Sequence, residues 1–127
     1  MSRDGINTPA LPAPVGPFSH AVRAGGFVYL SGQTAHDAGG LLLEDDATFQ
    51  TRQIFVHLES VLGAVGLDFS DVVKCNVFLT DMADFGAMNA VYAQHFEAPY
   101  PARSTVAVAA LPLGARVEIE LVARERG

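Results

Sequence analysis

Apolar residues recur at three- and four-residue spacing between positions 47 and 65, where Ile54, Phe55, Leu58, Val61, Leu62 and Val65 fall on one face of a predicted helix. Asp45 or Asp46 is placed to cap its start, and Gly66 suits the left-handed residue that ends it. A second helix is predicted over 84–96, with Phe85, Met88, Tyr92 and Phe96 as its buried stripe and Asp81 or Asp84 as its cap. Between the two, positions 72–79 are rich in β-branched and aromatic residues. Strict alternation there puts Val73, Cys75, Val77 and Leu79 on one face and turns Lys74 and Asn76 the other way. Runs at 19–23 and 27–31 flank Gly25-Gly26 and read as a hairpin. A turn at 37–40 leads into the short apolar run Leu41-Leu42-Leu43. Two further strands, 102–108 and 116–124, are expected to pair across Leu111-Pro112-Leu113-Gly114. Prolines 9, 12, 14 and 17 make positions 1–17 an extended arm. The order of elements predicts an α+β fold in one domain spanning 1–127, a mixed sheet with both helices packed on one face.

Parity sharpens the last two strands. Arg103, Thr105 and Ala107 share one face, and Val106 and Val108 the other. In the final strand Val117, Ile119, Leu121 and Ala123 oppose Glu118, Glu120 and Val122. If the apolar sets both cover the helices, Arg103 and Glu120 lie together on the helix-free face, opposite one another for a turn centred between Leu111 and Pro112. That face keeps apolar residues such as Val122 and Ala107, so a second subunit is expected to cover it. Taken alone, Arg103 and Glu120 read first as a cross-strand ion pair, worth under about 1 kcal/mol if exposed.

Composition narrows the classes. The chain has 127 residues, half of them hydrophobic and 17% charged, which excludes a disordered tail. The formal net charge is −6, and apart from Lys74 the cations are single scattered arginines, so nucleic acid is not an expected partner. Cys75 is the only cysteine, which fits a reducing compartment. Met1–Gly5 lacks the apolar stretch of a signal peptide, and no apolar run approaches the roughly 20 residues of a membrane span. A cytoplasmic protein without a membrane partner is expected.

Several short segments recur in a characteristic order: Gly16-Pro17-Phe18-Ser19, Ser31-Gly32-Gln33, Gln50-Thr51-Arg52-Gln53, Leu67-Asp68 with Asp71-Val72-Val73-Lys74, and Asp84-Phe85 with Asn89 and Tyr92. The most specific is Pro101-Ala102-Arg103-Ser104-Thr105-Val106, followed by Leu111-Pro112 and Val117-Glu118-Ile119-Glu120. Over about 110 residues the chain thereby resembles the RidA (YjgF) family. The resemblance implies a YjgF/chorismate-mutase-like fold and a homotrimer with a barrel-like centre and clefts between subunits. It implies an enamine/imine deaminase, a 2-iminobutanoate/2-iminopropanoate deaminase-like hydrolase that turns 2-aminoacrylate-type intermediates into 2-keto acids and ammonia, with neither metal nor organic cofactor. Arg103 and Glu120 then stand at the catalytic positions, with Phe18, Ser31, Phe85, Asn89 and Thr105 lining the cleft. A guanidinium at Arg103 suits bidentate capture of a small carboxylate, and Glu120 suits orientation of the attacking water. The chain departs from the common family pattern at Phe18, where tyrosine is frequent, at His20, where glutamine is common, and at Thr105, where cysteine is frequent.

Other readings differ in class. A non-catalytic module that binds keto acids would use the same Arg103 cleft and would tolerate the missing hydroxyl at position 18. A catabolic deaminase for another enamine, aminoacrylate of pyrimidine breakdown or 2-aminomuconate, would share the chemistry. An endoribonuclease or translation inhibitor fits poorly with the acidic charge. His20, His36, His57 and His95 show no paired ligand spacing, so ordinary structural histidines are expected, His20 being the one placed near the cleft segment. Cys75, on an apolar strand face, reads as a buried inert thiol. Ser19, Ser31 and Ser104 have no evident histidine–carboxylate partner for nucleophilic catalysis.

Overall fold

A computed structural model describes residues 3–127. Met1 and Ser2, the start of the expected arm, lie outside the described residues. Six strands form one mixed sheet: β1 Asp4–Ile6, β2 Ala21–Ala24, β3 Phe27–Gln33, β4 Val72–Leu79, β5 Ala102–Ala107 and β6 Val117–Arg124, in the spatial order β1-β2-β3-β6-β4-β5. Helices α1 Ala47–Ala64 and α2 Phe85–Tyr92 pack together over one face. Part of the expected arm is thus a strand, because Asp4–Ile6 pairs with β2.

The core follows from the apolar spacing. Ile54, Phe55, Leu58, Val61 and Leu62 of α1 are buried against Val28, Leu30, Val117, Ile119 and Leu121 of the sheet. Asp46 caps α1, its carboxylate accepting from the Phe49 amide at 2.8 Å. α2 is shorter than its apolar stripe suggested. It ends at Tyr92, and the stripe continues through a turn to Phe96, whose ring packs on Tyr92 and Phe55. Arg116 ties the entries of both helices to β6, pairing with Asp45 at 2.6 Å and Asp84 at 3.3 Å.

Two expectations are corrected. In β4, Val72 is buried and Val73 exposed, because the register slips between Val72↔Ala123 and Lys74↔Val122. One extra residue in the strand inverts the alternation at its start, leaving Cys75, Val77 and Leu79 inward as read. The second correction is larger. β5 and β6 do not form a hairpin, since β6 runs antiparallel between β3 and β4, and β5 lies parallel to β4 at the sheet edge. A strand joined to its neighbour through a helix is free to run parallel to it, as β4-α2-β5 does. β6, with Val117, Ile119, Leu121 and Ala123 all buried, takes the central place.

Candidate functional site

Register fixes which residues share a face. Arg103 stands opposite Cys75, itself opposite Leu121, and both of these are buried beneath the helices. Glu120 stands opposite Asn76, itself opposite Ser104, on the helix-free side. Arg103 and Glu120 therefore occupy opposite faces of the sheet, contrary to the parity reading. Thr105 and Ala107 go with Arg103, and Val106 goes with Glu120. The inference failed at its premise, the β5–β6 hairpin, because β4 intervenes.

Arg103 is held by α2. Phe85, Asn89 and Tyr92 fall four and three residues apart, so they form one helix face turned toward β5. Arg103 Nη1 donates to Asn89 Oδ1 at 2.7 Å. The guanidinium carbon sits 4.5 Å from the Tyr92 ring centroid and 5.5 Å from that of Phe85, a cation–π arrangement that fixes the plane of the fork. Arg103 has no carboxylate partner among the described residues. It lines a cavity of about 490 Å³ with Asn89, Tyr92, Ala93, Tyr100 and Pro101. A guanidinium oriented on one side and unpaired on the other can receive a planar anion bidentately.

Beneath it the layer is buried. Burial pushes the Cys75 thiol up to about 11, opposed in part by Tyr92 and Arg103. Burial also raises the pKa of the Tyr92 hydroxyl, with the Cys75 thiol as its polar neighbour. Tyr92 Oη and Thr105 Oγ1 are both buried without a hydrogen-bond partner among the described residues. The Thr105 hydroxyl thus points into the protein rather than into the cavity.

The second cluster is built by a bulge in β3. Leu30 pairs with Leu121 but Gln33 with Ile119, so Ser31 and Gly32 together span the position of Glu120. Ser31 Oγ donates to the Ser19 carbonyl at 2.6 Å, fastening the bulge to the segment that carries Phe18. Asn76 Nδ2 donates to Glu120 Oε1 at 3.1 Å, which leaves Oε2 free of protein donors among the described residues. Glu118 shares this face. Burial first, and Glu120 second, raise its pKa. The side chain of Phe18 is about half exposed, at 51%.

Of the residues singled out from the sequence, the structure brings Arg103, Asn89 and Phe85 together in one cluster and places Ser31 beside Glu120 in another. Phe18 belongs to the segment fastened to the second. His20 is buried, its Nδ1 accepting from the Thr8 amide at 3.0 Å and its Nε2 donating to the Pro12 carbonyl at 2.8 Å. It pins the arm. Sequence reasoning missed Tyr92 as the ring beneath Arg103 and Asn76 as the donor to Glu120. The helical spacing of Phe85, Asn89 and Tyr92 carried the first signal.

Among the described residues no group of three or more His, Cys, Asp or Glu side chains is arranged to hold a metal ion, and no helix is long and apolar enough to cross a membrane.

A family model described as Endoribonuclease L-PSP, the YjgF/RidA family, matches residues 8–125. The chain belongs to this family. A RidA-family relative from Dermatophagoides farinae, a 2-iminobutanoate/2-iminopropanoate deaminase, is 44% identical over 118 residues, 92% of each chain. The crystal structure of RidA from the Antarctic bacterium Psychrobacter sp. superposes with a TM-score of 0.88 at 42% identity, covering 95% of this chain and 98% of the other. E. coli TdcF, solved with bound serine, gives a TM-score of 0.88 at 35% identity, covering 97% and 99%.

Proposed function

We propose that this RidA-family chain is an imine deaminase that hydrolyses 2-imino acids and their enamine tautomers, working at clefts between subunits of a homotrimer. The observation that carries the proposal is Arg103, which lines a cavity, is clamped by Asn89 and Tyr92, and has no counter-charge among the described residues. The deaminase names of close relatives support the reaction class.

Two clusters on opposite faces cannot meet within one subunit. They can meet across an interface, where Arg103 at the free edge of one sheet approaches the helix-free face of the next. That face carries the exposed apolar side chains of Phe27, Tyr29 and Val106, which favour burial against another copy. Arg103 binds the substrate carboxylate and orients the imine carbon. Glu120 of the neighbouring copy, one oxygen held by Asn76, accepts a proton from water through the other as that water attacks. In balance, R–C(=NH2+)–COO− and water give R–CO–COO− and ammonium. The uncatalysed hydrolysis is already facile, so positioning and one general base suffice without a covalent nucleophile.

Phe18 favours a second reading, a keto-acid binding module, because it offers water no hydroxyl. One experiment separates the two. 2-Aminoacrylate is generated from serine by a dehydratase, and pyruvate formation is followed with and without the protein, after light scattering has established the assembly. Faster pyruvate formation supports the deaminase. No acceleration by an assembled trimer that still binds 2-ketobutyrate supports the binding module. RNA left intact after incubation removes the nuclease reading that the acidic net charge disfavours.

A further inference from the structure

A second cavity, of about 350 Å³, shares no lining residue with the Arg103 cavity. Leu11 and Pro14 of the arm, Phe18 and Leu113 supply its apolar walls, Gly32 and Glu118 border it on the sheet side, and His36, Asp37 and His57 also line it. It adjoins the Glu120 cluster on two counts. Gly32 is half of the bulge that spans Glu120, and Glu118 is the next residue of β6 on the same face. Gly32 leaves room for the Glu118 side chain, since a Cβ at this position would lie 2.8 Å from Glu118 Oε1. The arm is not loosely placed, because His20 holds it at Thr8 and Pro12. A volume of this size is in the range of small-molecule pockets and exceeds what a methyl group needs.

We infer that this cavity receives the side chain of the substrate, and that the preferred 2-imino acids carry uncharged apolar side chains longer than methyl. The inference rests on the deaminase reading above. With the imine carbon held between Arg103 of one copy and Glu120 of the next, the group attached to that carbon has an apolar recess beside it, walled by Phe18 and Leu113. Phenylalanine at position 18 then has a use, since a ring without a hydroxyl keeps the wall apolar. Glu118 selects against acidic side chains. It has no ion-pair partner among the described residues, and a second carboxylate in the recess would face it directly. Asp37 adds a further carboxylate to the recess, both ring nitrogens of His36 are already engaged by the Thr34 hydroxyl and the Leu113 carbonyl, and burial lowers the pKa of His57 and so favours its neutral form.

The test is a homologous series. An L-amino-acid oxidase generates the imines of alanine, 2-aminobutyrate, norvaline and norleucine, and the acceleration of keto-acid formation over buffer is measured for each with the wild-type protein. Each methylene entering the recess contributes about fourfold in kcat/KM, the equivalent of roughly 0.8 kcal/mol. The acceleration is expected to climb along the series, and the glutamate-derived imine is expected to show little. A flat or falling series with clear activity on the alanine imine overturns the inference and leaves the deaminase reading intact. Absence of acceleration for every imine overturns both. Ala38 also lines the recess, and filling it with Ala38→Phe provides a second readout, with the norleucine-to-alanine ratio of kcat/KM expected to fall at least tenfold. An unchanged ratio in a folded variant places the side chain elsewhere.

Discussion

Removing one oxygen atom from Tyr92 is expected to stabilise the protein. The ring lies 4.5 Å from the Arg103 guanidinium carbon and packs tilted against Phe96 at 4.7 Å between centroids. Its hydroxyl, by contrast, is buried with no hydrogen-bond partner among the described residues. An unsatisfied buried hydroxyl costs about 1–3 kcal/mol, whereas the void left by one oxygen forfeits only a fraction of that in contacts. Tyr92→Phe should therefore gain about 1 kcal/mol, which for a chain of this length raises Tm by roughly 4 °C. Since the ring keeps its place, KM for the imine should stay within about twofold. Tyr92→Leu removes the ring and should raise KM by roughly 3- to 30-fold through the lost cation–π contact. The comparison requires urea melts of wild type and both variants at one protomer concentration, because assembly contributes to the midpoint. A loss of 1 kcal/mol or more in Tyr92→Phe would refute the reasoning and assign the hydroxyl a partner, the Cys75 thiol beside it being the nearest polar group by chemistry.

Three further outcomes are expected. Asp46→Ala removes the α1 cap, whose carboxylate accepts from Phe49 at 2.8 Å, and should cost about 1 kcal/mol in denaturant melts. Gly32→Ala sets a Cβ 2.8 Å from Glu118 Oε1 and should cost about 1 kcal/mol, a loss largely recovered in the double variant with Glu118→Ala; a simply additive double-mutant cycle would contradict the clash. Burial lowers the pKa of both His57 and His95 in the folded protein, so the unfolded chain binds more protons in mildly acidic solution. Stability contributed by their neutral forms is complete above the ordinary histidine pKa near 6.5 and declines as pH falls below it. Melts between pH 7.5 and 5 should show this slope, and His57→Gln should flatten it.

The sequence conveyed elements more readily than arrangement. The apolar spacing of Ile54 to Leu62 and the glycine pair at 25 and 26 are local signals, and α1 and the β2–β3 hairpin follow from them directly. Strand order is not local. Nothing in 102–107 or 117–124 marks that β4 separates them, so adjacency in sequence suggested a hairpin and put Arg103 on the wrong face. Similarly, the bulge that buries Val72 and exposes Val73 arises from pairing with β6, and alternation alone cannot foresee it. The members of the candidate site were singled out one by one, through the motif around Arg103 and the segment that carries Phe85 and Asn89. The division of these residues between two faces emerged only from the register, and the proposed shared cleft rests on it.

The central claim is that Arg103 of one subunit works with Glu120 of another, and mixing two inactive variants tests it most directly. Arg103→Ala and Glu120→Gln are each assembled alone and then co-assembled in equal amounts, with oligomeric state and Tm matched to wild type. In random mixed assemblies an intact cleft needs Arg103 from one variant and Glu120 from the other, a chance of one half times one half. The account predicts that imine hydrolysis returns to about a quarter of the wild-type rate. Two inactive parents whose mixture stays inactive would contradict a shared cleft.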